Sequence, residues 1–171
     1  MAASFPHQGM FAVRFAVNVF VGSLIVWHTL LYLGVSNPIW AVASMIAATD
    51  PKVEVAATMF KSRMINVLVG CLIGMIFLGA GRSGDWILPI ALAATVLVSS
   101  YLIRIQTMWR QAPITAALVI ASGLTHHSKL GGMELGLHKV AEVLFGCFVG
   151  LLISWLMERV WPLAESAQAG E

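Results

Sequence analysis

The chain has 171 residues, 59% hydrophobic and only 11% charged, with a formal net charge of +2, against roughly 25% charged in an ordinary soluble domain. Ten basic and eight acidic side chains are too few to coat a water-soluble domain of this length, and no basic run interleaved with aromatics offers a nucleic-acid surface. Composition therefore excludes a soluble domain and a nucleic-acid binder, and predicts an all-α integral membrane protein whose first partner is the lipid bilayer.

The first apolar run, residues 11–33, is too long for a signal-peptide core and has no small-residue cleavage site behind it, so it reads as a retained span. Five more runs follow at about 38–49, 62–80, 86–103, 112–125 and 138–160. A bilayer core of about 30 Å needs around 20 helical residues; the second and fifth runs fall short and the other four are expected to cross. Pro38 and Pro113 open the two short runs as first-turn prolines, whose missing N–H would be unpaired there anyway. Ser36-Asn37-Pro38, Gly81-Arg82-Ser83-Gly84 and Gly131-Gly132 read as turns. The expected domain is one six-helix transmembrane unit over residues 1–163, followed by a flexible polar cytoplasmic tail, 164–171.

The runs repeat. Pro38-Ile39-Trp40-Ala41 returns as Pro113-Ile114-Thr115-Ala116 at an offset of 75, and Gly70-Cys71-x-x-Gly74 returns as Gly146-Cys147-x-x-Gly150 at an offset of 76. Between them Arg63 aligns with Lys139, and Val67-Leu68 with Val143-Leu144. Two matches in the same order point to duplication of a three-span unit, about 11–80 and 86–161. Three is an odd number, so the second copy enters from the opposite side: an inverted-topology repeat. With a cytoplasmic N-terminus, Arg14, Lys52, Lys61, Arg63, Arg104, Arg110 and Arg159 lie inside and Arg82, Lys129 and Lys139 outside, which favours both termini in the cytoplasm of a multi-pass protein.

Trp40-Ala41, Asp50-Pro51, Thr58, Arg63 and Gly70-x-x-x-Gly74, read in order, resemble the membrane unit of the fusaric acid resistance and aromatic acid exporter superfamily. The stretch HKVAEVLFGCFVGLLISWLMERVWP (138–162) resembles that unit's closing helix. Two positions depart from the family pattern: Asn66-Val67 stands where Gly-Thr is usual, and Lys139 where Arg is commoner. The resemblance implies export of small carboxylated, often aromatic, compounds across a bacterial inner membrane, with no cofactor. Plant malate channels are similar to the same unit, so anion conduction is also implied. Exporters of this kind typically carry a large cytosolic portion. A chain with one six-helix unit points to a pathway formed in a homo-oligomer or with a further subunit.

Candidate site residues follow from where polar groups interrupt the runs. Helix starts in matching positions of two inverted halves aim their free N–H groups into the membrane, where they can face an anion. Trp40, Ser44, Thr49 and Thr115 would line that place, unless Trp40 is an interfacial anchor and the hydroxyls bond back to their own helices. Arg63 and Lys139, at equivalent points of the two halves, are the carboxylate-capturing candidates, the alternative being that both reach for head groups. Glu142, one turn after Lys139, is the proton-coupling candidate, with Asp50 beside it in that role; the alternative for Glu142 is a plain intrahelical ion pair. Asn66 holds the matching place in the first half.

Gly70, Gly74, Gly146 and Gly150 form small-x-x-x-small faces for close helix packing, and Cys71 and Cys147 read as small apolar side chains beside them. His28 reads as a head-group contact. His126, His127 and His138 fit no zinc spacing, so no metal is expected. No Ser-His-Asp order, paired carboxylates or phosphate-cradling loop supports an enzyme. The function expected is efflux of a small organic anion, with a passive anion channel or a non-transporting scaffold subunit as alternatives.

Overall fold

The computed structural model describes residues 5–80, 86–102, 111–125 and 129–161, with backbone alone at 5–8, 102, 111, 123–125, 129–130 and 132. The described residues form six helices: α1 (Phe5–Tyr32), α2 (Ile39–Ala48), α3 (Val53–Gly79), α4 (Ile87–Leu102), α5 (Gln111–Thr125) and α6 (Lys129–Val160). Among the described residues, three stretches are long and apolar enough to cross a membrane: Gly9–Tyr32, Val53–Gly79 and Met133–Val160. The fourth expected span, 86–103, is described over the 16 residues of α4, about 24 Å at 1.5 Å per residue, and stands among the shorter apolar helices.

Helix ends are set by local chemistry. Gly34 takes a left-handed conformation (φ 84°), and the Gly34 and Val35 amides donate to the Leu31 and Leu30 carbonyls at 3.0 and 2.9 Å. This closes α1 with the bonds of a glycine C-cap, and Val35 packs against the cluster that holds Leu30. Pro38 is the N-cap of α2. Pro51 disfavours helical backbone at Asp50; α2 stops at Ala48, and the Asp50 carboxylate accepts the Lys52 amide at 2.8 Å in the turn before α3.

Three helices start well before the apolar runs imply, the first of them α1, which begins at Phe5 rather than 11. α3 begins at Val53 rather than 62, with Glu54 in its first turn, where a carboxylate complements the helix dipole. α6 begins at Lys129 rather than 138. Gly131-Gly132, expected as a turn, lies inside α6. Each glycine costs about 1 kcal/mol in a helix, a penalty that a 32-residue helix with a packed face carries. The turn expected at 81–84 and the tail lie outside the described residues.

Two apolar clusters hold the helices together. Val26 and Leu30 of α1, Ala41 and Met45 of α2, and Val149 and Ile153 of α6 form one. Val67 and Cys71 of α3, Val119 of α5, and Val140 and Val143 of α6 form the other. Helix α3 runs antiparallel to α6. Val119 lies against both Gly74 and Gly136, while Ser44 meets both Arg63 and Cys147, so α3 climbs from 63 to 74 as α6 descends from 147 to 136.

Helix α1 packs on α2 and α6, and α4 packs on α5 and α3. The closest pairings are α2 with α6 and α3 with α5; α3 also meets α6 and α2, and α5 meets α6. Exchanging α1, α2 and α3 with α4, α5 and α6 returns the same set of packed pairs. Each glycine frame therefore seats the opposite half's short helix: Gly70 and Gly74 meet Ala112, Thr115, Ala116 and Val119 of α5, and Gly146 and Gly150 meet Ala41, Met45 and Ala48 of α2 and Thr49, its C-cap. The outer faces stay apolar, as in the stripe of Leu68, Leu72 and Ile76 on α3, which suits helices surrounded by lipid.

Candidate functional site

Arg63 points into the place where α2, α3 and α6 meet. Its Nη2 donates to Ser44 Oγ at 3.2 Å, and the guanidinium lies beside the Cys147 thiol, whose sulfur is 3.8 Å from the Ser44 carbonyl. Ser44 and Cys147 are buried and Arg63 is partly so. The Arg63 Nε is enclosed without a hydrogen-bond partner, so this planar five-donor group retains capacity for an acceptor. A cation held here among small side chains can receive a carboxylate.

One turn on, Asn66 is fully buried, and its Oδ1 accepts the Ser99 hydroxyl at 2.8 Å, tying α3 to α4. In the second half the equivalent cation is engaged: Lys139 Nζ lies 2.8 and 2.9 Å from the two carboxylate oxygens of Glu142, with side chains 23% and 8% exposed. Arg63 sits at the level of Cys147, and eight residues of α6, about 12 Å, separate Cys147 from Lys139. The two cations therefore occupy opposite ends of the α3–α6 crossing and do not converge.

The remaining candidates are dispersed. Thr115 is buried where α5 meets Gly70. Thr49 bonds back to the Met45 carbonyl at 2.8 Å. Trp40 is 41% exposed on the first turn of α2. Asp50 uses its carboxylate in the α2–α3 turn, and its amide donates to Ser154 Oγ of α6 at 3.1 Å. His28 is exposed on α1. His138 Nδ1 is 3.0 Å from its own helix's Glu134 carbonyl; both residues line a shallow groove on α6 with Met133, Leu137 and Ala141, away from Arg63. His126, His127, Arg104 and Arg110 lie outside the described residues. Among the described residues no three His, Cys, Asp or Glu side chains gather into a metal-binding group.

Sequence reasoning missed one pair. Arg14 and Asn18 of α1 are 1% and 0% exposed, and the three guanidinium nitrogens and both amide atoms have no hydrogen-bond partner. By chain position alone Arg14 counts as a positive-inside charge. The signal that finds it is spacing: an Arg and an Asn four apart inside a span share a face and are expected to turn that face inward.

A family model described as fusaric acid resistance protein-like matches residues 21–153, which takes in the C-terminal part of α1, all of α2 to α5 and most of α6. No curated protein and no solved structure gives a significant match.

Proposed function

The chain belongs to the fusaric acid resistance protein-like family, a family of multi-pass membrane transport and resistance proteins, and on that premise we propose that it exports small organic anions, aromatic carboxylates in particular. The observation that carries this reading is Arg63: a cation enclosed where three helices meet, satisfied by one serine hydroxyl and with its Nε unmet. Guanidinium and carboxylate match in plane and charge, and a cation inside a span stabilises an anion that lipid would reject. Asn66, Trp40 and Thr115 stand as accessory substrate contacts, Lys139 as the second-half counterpart, and Glu142 and Asp50 as proton-coupling groups. The packing set that survives exchange of the two halves supports six helices in two inverted three-helix repeats. The reading places the chain in a bacterial inner membrane with both termini cytoplasmic, working as a homo-oligomer or with a further subunit. The test is flux of an aromatic carboxylate through proteoliposomes: Arg63→Ala is expected to abolish saturable transport, and unchanged flux overturns the assignment.

One observation favours a second reading, a passive organic-anion channel. Glu142 is locked on Lys139 through both oxygens, an arrangement suited to a structural ion pair rather than to proton exchange. Flux that is insensitive to a pH gradient and survives Glu142→Gln supports the channel; loss of gradient-driven flux in that variant supports the coupled exporter.

A further inference from the structure

We infer that Arg14 and Asn18 of α1 form a second site, separate from Arg63, that binds an oxyanion carrying a hydroxyl group. Arg14, Asn18, Gly22, Val26 and Leu30 recur every four residues and make one ridge. Gly22 meets Met45 of α2 and Ile153 of α6, and Val26 and Leu30 lie in the cluster shared with those helices, so the ridge faces inward. Arg14 continues it two turns, about 12 Å, beyond Gly22.

Arg14 is 1% exposed with Nε, Nη1 and Nη2 all unpartnered, and Asn18 is 0% exposed with Nδ2 and Oδ1 both unpartnered. A buried cation without a counter-charge is strongly unfavourable, and buried amides are ordinarily hydrogen-bonded. The unmet groups specify what would satisfy them. The guanidinium and Nδ2 ask for acceptor oxygens with negative charge, whereas Oδ1 asks for one donor. A bare carboxylate meets the first demand only. A hydroxy-carboxylate, hydrogen phosphate or the glycerol phosphate head group of phosphatidylglycerol meets both.

The site is distinct from the one assigned to transport. Met45, which packs on Gly22, adjoins Ser44, the partner of Arg63, so Arg14 stands about two turns away along α1 and on a different helix from Arg63. The inference does not rest on the transport reading.

Equilibrium binding to the purified full chain tests it. In phosphatidylcholine nanodiscs, 2-hydroxybenzoate or inorganic phosphate is expected to raise the unfolding temperature saturably in wild type and in Arg63→Ala. Arg14→Met should weaken that binding at least about tenfold, since a charge-assisted hydrogen bond contributes about 1.5–3 kcal/mol. Asn18→Leu, which keeps the branched outline of the side chain and is the recourse if Arg14→Met does not fold, should erase the preference for 2-hydroxybenzoate over benzoate. If the head group is the source instead, native mass spectrometry should show phosphatidylglycerol retained by wild type and shed by Arg14→Met, with soluble probes silent. Equal binding in wild type and both variants, or no binding of either soluble probe or lipid, overturns the site. So does an Arg14→Met change in oligomeric mass without any anion binding, which assigns the counter-charge to a neighbouring protein chain.

Discussion

Gly146 of α6 rests on the backbone of Ala41 in α2 so closely that a Cβ added there would overlap the Ala41 carbonyl oxygen. Its counterpart Gly70 stands the same way toward the Ala112 carbonyl of α5. Backbone cannot yield as a flexible side chain does, so a single methyl must push two helices apart. Gly146→Ala and Gly70→Ala are each expected to lower stability by about 1–3 kcal/mol, the usual range for overpacking. At Gly74 the nearest atom is Val119 Cβ at 3.0 Å, a contact the helices can relax, so Gly74→Ala should cost less. Gly79 meets nothing within 4 Å, and Gly79→Ala should be neutral or slightly stabilising through helix propensity. Thermal unfolding of the four variants in one detergent should return that order; a Gly79→Ala loss equal to Gly146→Ala would show that packing distance is not the cause.

The two members of the Lys139–Glu142 pair depend on each other. Glu142 has an 8% exposed side chain, and removing it leaves a half-buried ammonium with no counter-charge. Glu142→Leu alone is expected to destabilise by about 1–3 kcal/mol, below the 3–5 typical of fully buried pairs because Lys139 keeps 23% exposure. Lys139→Met/Glu142→Leu should recover most of that loss, since replacing both charges by apolar groups is often neutral or better. A double-mutant cycle on unfolding free energy measures the coupling; additive losses would mean that the ion pair contributes nothing.

The apolar runs, the two prolines and the glycine frames made six helices legible in the sequence, together with the close-packing role of Gly70, Gly74, Gly146 and Gly150. The partner of each frame was not legible. A small-residue face says that another helix can approach, but only the fold decides that Gly70 meets α5 and Gly146 meets α2. The starts of α3 and α6 were missed because charges such as Glu54 and Lys61 end a lipid-facing segment without ending a helix. Arg63 and the Lys139–Glu142 spacing could be found from chain position alone, whereas their separation along the α3–α6 crossing depends on antiparallel register. Arg14 escaped because a charge near the first loop is ordinarily assigned to topology, and its burial is a tertiary property.

The Ser99–Asn66 hydrogen bond, 2.8 Å long and fully buried, joins α4 to α3. Ser99→Ala removes the donor hydroxyl while preserving most of the packing. It should cost about 1 kcal/mol, the usual net contribution of one hydrogen bond. Asn66→Ala also opens a void and should cost more. Amide exchange in α4 is the sharper readout: Ser99→Ala should raise exchange there more than in α1, and equal acceleration in both helices would mean that the bond does not anchor α4.

The two cysteines sit in matching frames yet cannot join within one chain. Cys147 lies against Ser44 at the level of Arg63. Cys71 is eight residues along α3 from Arg63, about 12 Å, well beyond the roughly 7 Å limit between Cα atoms of a disulfide. Both thiols are free and buried, with Cys71 at 7% and Cys147 at 0% exposure. A mild oxidant should therefore leave the intramolecular disulfide unformed, and a maleimide applied to the folded protein should modify Cys71 slowly and Cys147 only after unfolding. Mass spectrometry of trapped samples reads both outcomes. Rapid formation of a Cys71–Cys147 bond would require α3 and α6 to slide past one another by about two turns, and would overturn the register that places Arg63 beside Cys147 and Lys139 away from it.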